Sequence, residues 1–99
     1  MVRHIVAWKL KETFSEAERK QHAQAIQQKL EALPAVIEGI VSLKVIQNLL
    51  PSSSMDLLLD STFVDQAALD AYQVHPEHKK VSAYVAEVRE DRVCLDYEV

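Results

Sequence analysis

The order in which hydrophobic periodicity changes along this chain restricts its fold more than any other feature. Val2–Leu10 alternates between two sets of side chains with a period of two, which is typical of a β-strand. Three later segments also have strand character, namely 40–46, 55–63 and 92–99. The segments between them have helical periodicity. The order strand, helix, strand, strand, helices, strand predicts an α+β, ferredoxin-like split βαβ fold: a four-stranded antiparallel sheet with its helices on one face.

Capping signals define the ends of the helical regions. Ser15 and Glu18 are spaced as a capping box, in which the hydroxyl and the carboxylate satisfy free amides of the first turn, and Pro34 ends that helix. Asp65 is predicted to cap the second helical region. Pro76 interrupts this region and suits the first position of a new helix.

The predicted sheet carries apolar side chains on both faces. Val6 and Trp8 face one way in the first strand, whereas Ile5 and Ala7 face the other. A sheet that is apolar on both sides needs cover on both sides. Because the helices cover only one face, we predict that a second copy packs on the other, giving a homodimer that forms a dimeric α/β barrel.

Composition argues against several classes of protein. The chain has 99 residues, enough for one domain, so we expect a single domain over 1–99. A net charge of −4, with no clustered excess of Lys and Arg beyond short pairs such as Lys79-Lys80, argues against a nucleic-acid partner. No apolar run approaches the roughly 20 residues of a membrane span, and no signal-peptide pattern precedes the first strand. The single cysteine, Cys94, cannot form an internal disulfide, so we expect a cytoplasmic protein.

The sequence contains no recognisable cofactor motif. With one glycine in the chain, a glycine-rich phosphate loop is absent. His4, His75 and His78 offer imidazole donors, but neither Cys-x-x-Cys nor His-Glu-x-x-His spacing occurs. We therefore expect no cofactor and no metal.

His78 is the strongest candidate for chemistry. It lies three and seven residues before Val81 and Val85, which aims its imidazole along the apolar stripe of the last helix. One interpretation is a general base acting on an acidic carbon or hydroxyl, beside a tyrosine, Tyr72, that orients a carbonyl. The alternatives are structural: His78 hydrogen-bonds a backbone carbonyl, Tyr72 is a core aromatic, and His75 caps the last helix.

His4 is expected to lie beside Asp96, because antiparallel pairing brings the start of the first strand to the end of the fourth. A carboxylate there could fix the imidazole tautomer for catalysis, or the pair could simply hold two strands together. Cys94 lies on the same strand face, and we expect it to be a buried free thiol.

These residues resemble those of the stress-responsive α/β-barrel (Dabb, dimeric A/B barrel domain) family. The matching segments extend over nearly the whole chain: His4-Ile5-Val6, Lys9-Leu10-Lys11, Gly39-Ile40, Asp56-Leu57, Phe63, Leu69-x-x-Tyr72-x-x-His75-Pro76-x-His78 and Asp96-Tyr97. The resemblance implies ferredoxin-like protomers that pair through their sheets. A plant member is a polyketide cyclase in which the second histidine of His-Pro-x-His acts as base beside the tyrosine. Those residues match His78 and Tyr72, and the first-strand histidine matches His4.

We therefore predict a stress-associated barrel protein that binds a small apolar or carbonyl ligand in a cavity between sheet and helices. The alternative is a cofactor-independent enzyme, a cyclase or isomerase or else a monooxygenase, with His78 as base and Tyr72 as the orienting group. The predicted catalytic residues are His78, Tyr72 and His4. The predicted ligand-binding residues are Trp8, Val6, His75, Val81, Cys94 and Asp96.

Overall fold

A computed structural model describes all 99 residues and contains one four-stranded sheet. The elements in chain order are β1 (Val2–Leu10), α1 (Glu16–Glu31), a 3-10 helix (Leu33–Ala35), β2 (Ile40–Ile46), β3 (Leu57–Phe63), α2 (Gln66–Val74), α3 (Pro76–Val88) and β4 (Arg89–Glu98). The strands pair antiparallel in the order β2-β3-β1-β4. The predicted ferredoxin-like α+β fold is confirmed. None of the helices is both long enough and apolar enough to cross a membrane.

The helix ends follow the capping signals. Ser15 Oγ accepts a hydrogen bond from the Glu18 amide at 3.1 Å, and the Ser15 amide donates to Glu18 Oε1 at 2.8 Å. Asp65 Oδ1 accepts from the Ala68 amide at 2.8 Å at the start of α2. Pro76 occupies the first turn of α3. Local chemistry therefore sets where each helix starts.

Two strands begin at different residues than predicted. β3 starts at Leu57 rather than Met55, and Asp56 instead uses its carboxylate to accept from the Leu10 amide at 2.7 Å. β4 starts at Arg89, three residues before the predicted 92, because no loop separates it from α3: Arg89 is both the C-cap of α3 and the first strand residue. This direct passage brings Arg89 onto the sheet.

The core lies between the helices and one face of the sheet, which we call the inner face. It carries the even-numbered residues of β1, all of which are buried. The largest core side chains from sheet and helices include Trp8, Leu57, Leu59, Phe63, Ile26, Leu69 and Tyr72. Complete burial of one such aliphatic side chain contributes about 1.5–3 kcal/mol, so this layer stabilises the fold.

The opposite side of the sheet, which we call the open face, has no helix over it. In the strand pairing Ile5 is opposite Leu95, and Ala7 lies between Leu58 and Val93. Leu95 is 64% exposed in the isolated chain. The second apolar face expected from the sequence is therefore present, and nothing within the chain covers it.

Gly39 is required at the turn before β2. Its φ is +89°, and a Cβ built there would lie 2.6 Å from the Ala68 Cβ. We expect Gly39→Ala to lower the free energy of unfolding by at least about 2 kcal/mol, because a left-handed conformation and an overpacked contact each cost roughly 1–2 kcal/mol. Urea denaturation measures the loss. Adding Ala68→Gly should restore only the contact part, and a Gly39→Ala variant as stable as the parent would contradict this prediction.

Candidate active site

A cavity of about 270 Å³ lies between the inner face of the sheet and α3. This volume is close to the lower end for small-molecule sites. The predicted site residues that line it are His4, Val6, Trp8, Tyr72, His78 and Val81. The remaining wall residues are Leu30, Leu59, Ser82, Val85, Ala86, Arg89 and Arg92. The cavity thus combines apolar walls with a few polar groups.

His78 is half-buried in the first turns of α3. Its Nδ1 lies 3.3 Å from the carbonyl oxygen of Gln73. Because a carbonyl can only accept, Nδ1 carries the hydrogen and donates it, which leaves the lone pair on Nε2. Burial lowers the pKa of His78, and nearby His4 and Arg92 act in the same direction, against the opposing effect of the Gln73 bond. The imidazole is therefore neutral at pH 7, as a general base must be.

Tyr72 lies between the two histidines of the cavity. Its ring centroid is 4.2 Å from that of His78 and 6.1 Å from that of His4. The side chain is 0% exposed, and its hydroxyl has no hydrogen-bond partner in the protein. Burial strongly raises the pKa of Tyr72, so the phenol stays protonated and can donate. An unpaired buried hydroxyl typically costs about 1–3 kcal/mol, which makes it unusual in a core.

His4 and Asp96 lie side by side, as antiparallel pairing predicted. They are direct partners across β1 and β4, and His4 Nδ1 donates to Asp96 Oδ1 at 2.5 Å. The buried ring also packs edge-on against Phe63 at 6.1 Å between centroids. The carboxylate therefore fixes the orientation of the His4 ring and requires a hydrogen on Nδ1.

Two of the predicted ligand-binding residues, Cys94 and Asp96, are adjacent to the cavity wall rather than part of it. The expectation that Cys94 is a buried thiol is wrong: the residue is exposed, because the helices do not extend across β4. Its Sγ lies 3.6 Å from Asp96 Oδ1. Partial desolvation, and then the charge of Asp96, raises the pKa of the thiol, so Cys94 is not an activated nucleophile.

His75 is not among the residues that line the cavity. Its Nδ1 accepts a hydrogen bond from the Glu77 amide at 3.1 Å and so caps α3. Capping of the last helix is the structural role that the sequence suggested for His75. The ring nitrogen accepts the hydrogen bond that a side-chain oxygen accepts at most helix N-termini.

The helical periodicity of α1 places His22 on the polar side or rim of the helix and so predicts a plain surface residue, and that prediction is wrong. It is half-buried, its Nδ1 lies 2.7 Å from the Tyr84 hydroxyl, and its ring is 4.6 Å from that of Phe14. These contacts connect α1 to α3 away from the cavity. The helical periodicity of α1 alone could not identify a partner on another helix.

Arg89 is the wall residue that the sequence did not indicate. The predicted strand began at residue 92, so Arg89 belonged to no predicted element, and the sequence did not indicate which way its side chain faces. Arg92 lies in the wall of the cavity, on the strand face that also carries Cys94 and Asp96. The absence of a glycine or proline between Val88 and Arg92 is the signal that a helix could run directly into a strand here.

One group of side chains has the composition of a metal site: His4, Cys94 and Asp96 each offer a donor atom, all within 4.8 Å of one another. The His4 Nδ1 and Asp96 Oδ1 atoms are 2.5 Å apart, which is a hydrogen-bond distance. Two ligands bound to one tetrahedral zinc ion at its usual bond lengths lie about 3.4 Å apart. An ion would have to replace the His4–Asp96 hydrogen bond.

Comparison with known proteins identifies relatives of the whole chain. The model of the stress responsive A/B barrel domain matches residues 2–99. A dimeric protein of unknown function from Bacteroides fragilis, with a ferredoxin-like fold, is 34% identical, with a TM-score of 0.92 over 99% of this chain and 95% of its own. A hydroxynitrile lyase from Passiflora edulis is 21% identical, with a TM-score of 0.77 over 99% and 92% of the two chains. An antibiotic biosynthesis monooxygenase is 11% identical, with a TM-score of 0.78 over 100% and 98%. No curated protein matches the chain.

Proposed function

This chain belongs to the stress responsive A/B barrel domain family, and from that starting point we propose that it binds a small carbonyl compound in the cavity between its sheet and α3. The unpaired hydroxyl of Tyr72 is the observation that carries this proposal. A ligand carbonyl accepts the hydrogen bond that no protein group accepts, so binding recovers the cost of burying the hydroxyl. The apolar walls, including Val6, Trp8 and Val81, hold the hydrocarbon part of the ligand.

The second candidate function is cofactor-independent proton transfer next to the bound carbonyl, in a cyclase or isomerase. The fixed tautomer of His78 favours it, because the Gln73 bond leaves Nε2 free to accept a proton. Nε2 would take a proton from the carbon beside the carbonyl, and the C–H electron pair would form an enolate whose oxygen accepts the Tyr72 hydrogen bond. His4, held by Asp96, would support the packing of the Tyr72 ring.

A cofactorless monooxygenase is the remaining enzyme candidate. It uses the same base, because a substrate carbanion formed by His78 is the species that would react with oxygen. The likeness to the antibiotic biosynthesis monooxygenase supports the fold only, at 11% identity. No side chain in the cavity favours oxygen chemistry over simple proton transfer, so we place this candidate last.

The assembly is part of the proposal. We infer a cytoplasmic homodimer of single-domain protomers over residues 1–99, paired through the open face. The exposed apolar side chains of that face, including Val93 and Leu95, support it, as does the dimeric relative from Bacteroides fragilis at 34% identity.

Tyr72→Phe tests the ligand site, with Tyr84→Phe as the matched control. Because the Tyr72 hydroxyl is unpaired, its removal should leave the free energy of unfolding unchanged or higher, whereas Tyr84→Phe breaks the bond to His22 and should lower it by about 1 kcal/mol. In NMR titrations with aryl ketones from acetophenone to butyrophenone, the His78 ring signals should shift. Binding should weaken roughly 5- to 10-fold in Tyr72→Phe, since one hydrogen bond is lost, and stay unchanged in Tyr84→Phe.

Two results would count against the site. One is a Tyr72→Phe variant that loses as much stability as Tyr84→Phe, since the hydroxyl would then be paired inside the protein. The other is the absence of any ketone-dependent shift of the His78 ring, which would assign the stretch from Tyr72 to His78 a purely structural role.

A further inference from the structure

We propose that the ligand of this cavity is an oxo acid, a small molecule in which the carbonyl is accompanied by a carboxylate that Arg92 and Arg89 bind. This inference rests on the proposed function and adds the chemical class of the ligand. Two observations support it: both arginines line the cavity, and neither forms an ion pair with a carboxylate of the chain.

Both arginines belong to the same end of the cavity. In the strand pairing Arg92 is opposite Trp8 and Arg89 is opposite Leu10, so both stand on the inner face, next to each other along β4. Both line the cavity. The direct passage from α3 into β4 creates this arrangement, since a loop between them would carry Arg89 away from the wall.

Neither arginine has a carboxylate partner. The ion pairs that Lys and Arg form in this chain use Arg3, Lys9 and Lys80 as their cations, and none includes Arg89 or Arg92. Asp96, which follows Arg92 and Cys94 on the inner face of β4, is already bonded to His4. Both guanidinium groups can therefore bind an anionic ligand without giving up an ion pair within the chain.

The lining of the cavity is also free of acidic residues. His4, His78, Arg89 and Arg92 supply its ionisable side chains apart from Tyr72, and no Asp or Glu is among them. The only formal charges among the lining side chains at pH 7, apart from the histidines, are thus the two guanidinium groups, which favours anions over cations as ligands. Arg92 also contributes, after burial and His4, to the lowered pKa of His78, in agreement with its place in the same cavity wall.

A carboxylate matches these donors best. A guanidinium group presents a planar fork of N–H donors whose spacing fits the two oxygens of a carboxylate, and such charge-assisted bonds are stronger than neutral ones. With the carboxylate held by Arg92 and Arg89, the carbonyl of the same ligand is directed toward Tyr72 and His78. The cavity volume of about 270 Å³ limits the ligand to a small oxo acid.

The test uses three probes of the same skeleton: 3-benzoylpropionate, its methyl ester, and butyrophenone. We expect the wild-type protein to bind the acid at least about 10-fold more tightly than the ester or the ketone, by calorimetry or NMR at low salt. The Arg92→Gln and Arg89→Gln variants should lose this preference while still binding butyrophenone. Lys79→Gln is the control, because it removes the same charge from an exposed position of α3 that has no ion pair.

The outcomes separate the two proposals. Equal binding of acid, ester and ketone by the wild type would overturn the oxo-acid assignment and leave the carbonyl site intact. A preference for the acid that survives Arg92→Gln and Arg89→Gln, or that disappears equally in Lys79→Gln, would overturn the role of the arginines. Failure of all three probes to bind would overturn both proposals. Arg92 is exposed, so its replacement reports on binding even if the half-buried Arg89 also supports folding.

Discussion

Replacing His78 by asparagine is expected to slow proton exchange at the carbon next to a bound ketone by at least about 100-fold. The change removes the Nε2 lone pair, whereas the asparagine amide can still donate to the Gln73 carbonyl as Nδ1 does now. The fold should therefore persist. In D2O, NMR follows the loss of the α-proton signal of butyrophenone, with the protein-free rate subtracted.

His75→Asn is the matched control, since it alters the same short stretch without entering the cavity. His75 caps α3 through its Nδ1, and asparagine is among the preferred capping residues, so stability and exchange rate should both be retained. If the two variants exchange protons equally fast, or if the wild type gives no exchange above the protein-free rate, His78 is not a base toward carbon acids.

The exchange rate should also depend on pH in a defined direction. Only the neutral imidazole can accept a proton, and the pKa of His78 is lowered, chiefly by burial. The rate should therefore rise with pH, with its midpoint below the ordinary histidine value of about 6.5, and be level at pH 7. The free energy of unfolding should also rise with pH. The unfolded chain binds this proton at a higher pH than the folded chain does, so lowering the pH below about 6.5 destabilises the fold. A midpoint above 6.5 would contradict both expectations.

Leu95→Glu is expected to convert the proposed homodimer into a monomer, raising the dimer dissociation constant by at least about 100-fold. Leu95 lies on the open face opposite Ile5 and is 64% exposed in the isolated chain. Sheet-to-sheet pairing would bury its side chain, and each dimer would then contain two unpaired carboxylates between apolar surfaces. Analytical ultracentrifugation at micromolar concentration measures the change, and circular dichroism checks that the protomer stays folded on its inner core.

Leu50→Glu provides the same chemical change at a different place. Leu50 is exposed in the connection between β2 and β3 and is not part of the open face, so its replacement should leave the dimer intact. Two results would contradict the assignment of the open face as the dimer surface. One is a wild-type protein that is monomeric at these concentrations. The other is a Leu95→Glu variant that dimerises as strongly as the Leu50→Glu variant does.

Much of the candidate site follows from short-range pattern and strand geometry. The period of two in β1 puts His4, Val6 and Trp8 on one side, and antiparallel pairing with β4 then requires Asp96 to be next to His4. The spacing of His78 to Val81 likewise predicts an inward-facing imidazole. These predictions succeed because backbone geometry alone fixes which side of an element a residue occupies.

Other features depend on contacts between elements that are distant in sequence. The exposure of Cys94 depends on how far the helices extend across the sheet, and the position of Arg89 depends on α3 continuing into β4 without a loop. Whether the Tyr72 hydroxyl has a hydrogen-bond partner depends on every group that packs around its ring. The order of the elements, the side on which each residue faces, and the contact between His4 and Asp96 can all be read from the amino-acid sequence. Which of those side chains enclose a cavity, and which polar groups remain unpaired, is evident only in the folded chain, because burial and hydrogen bonding depend on packing between elements that no local period encodes.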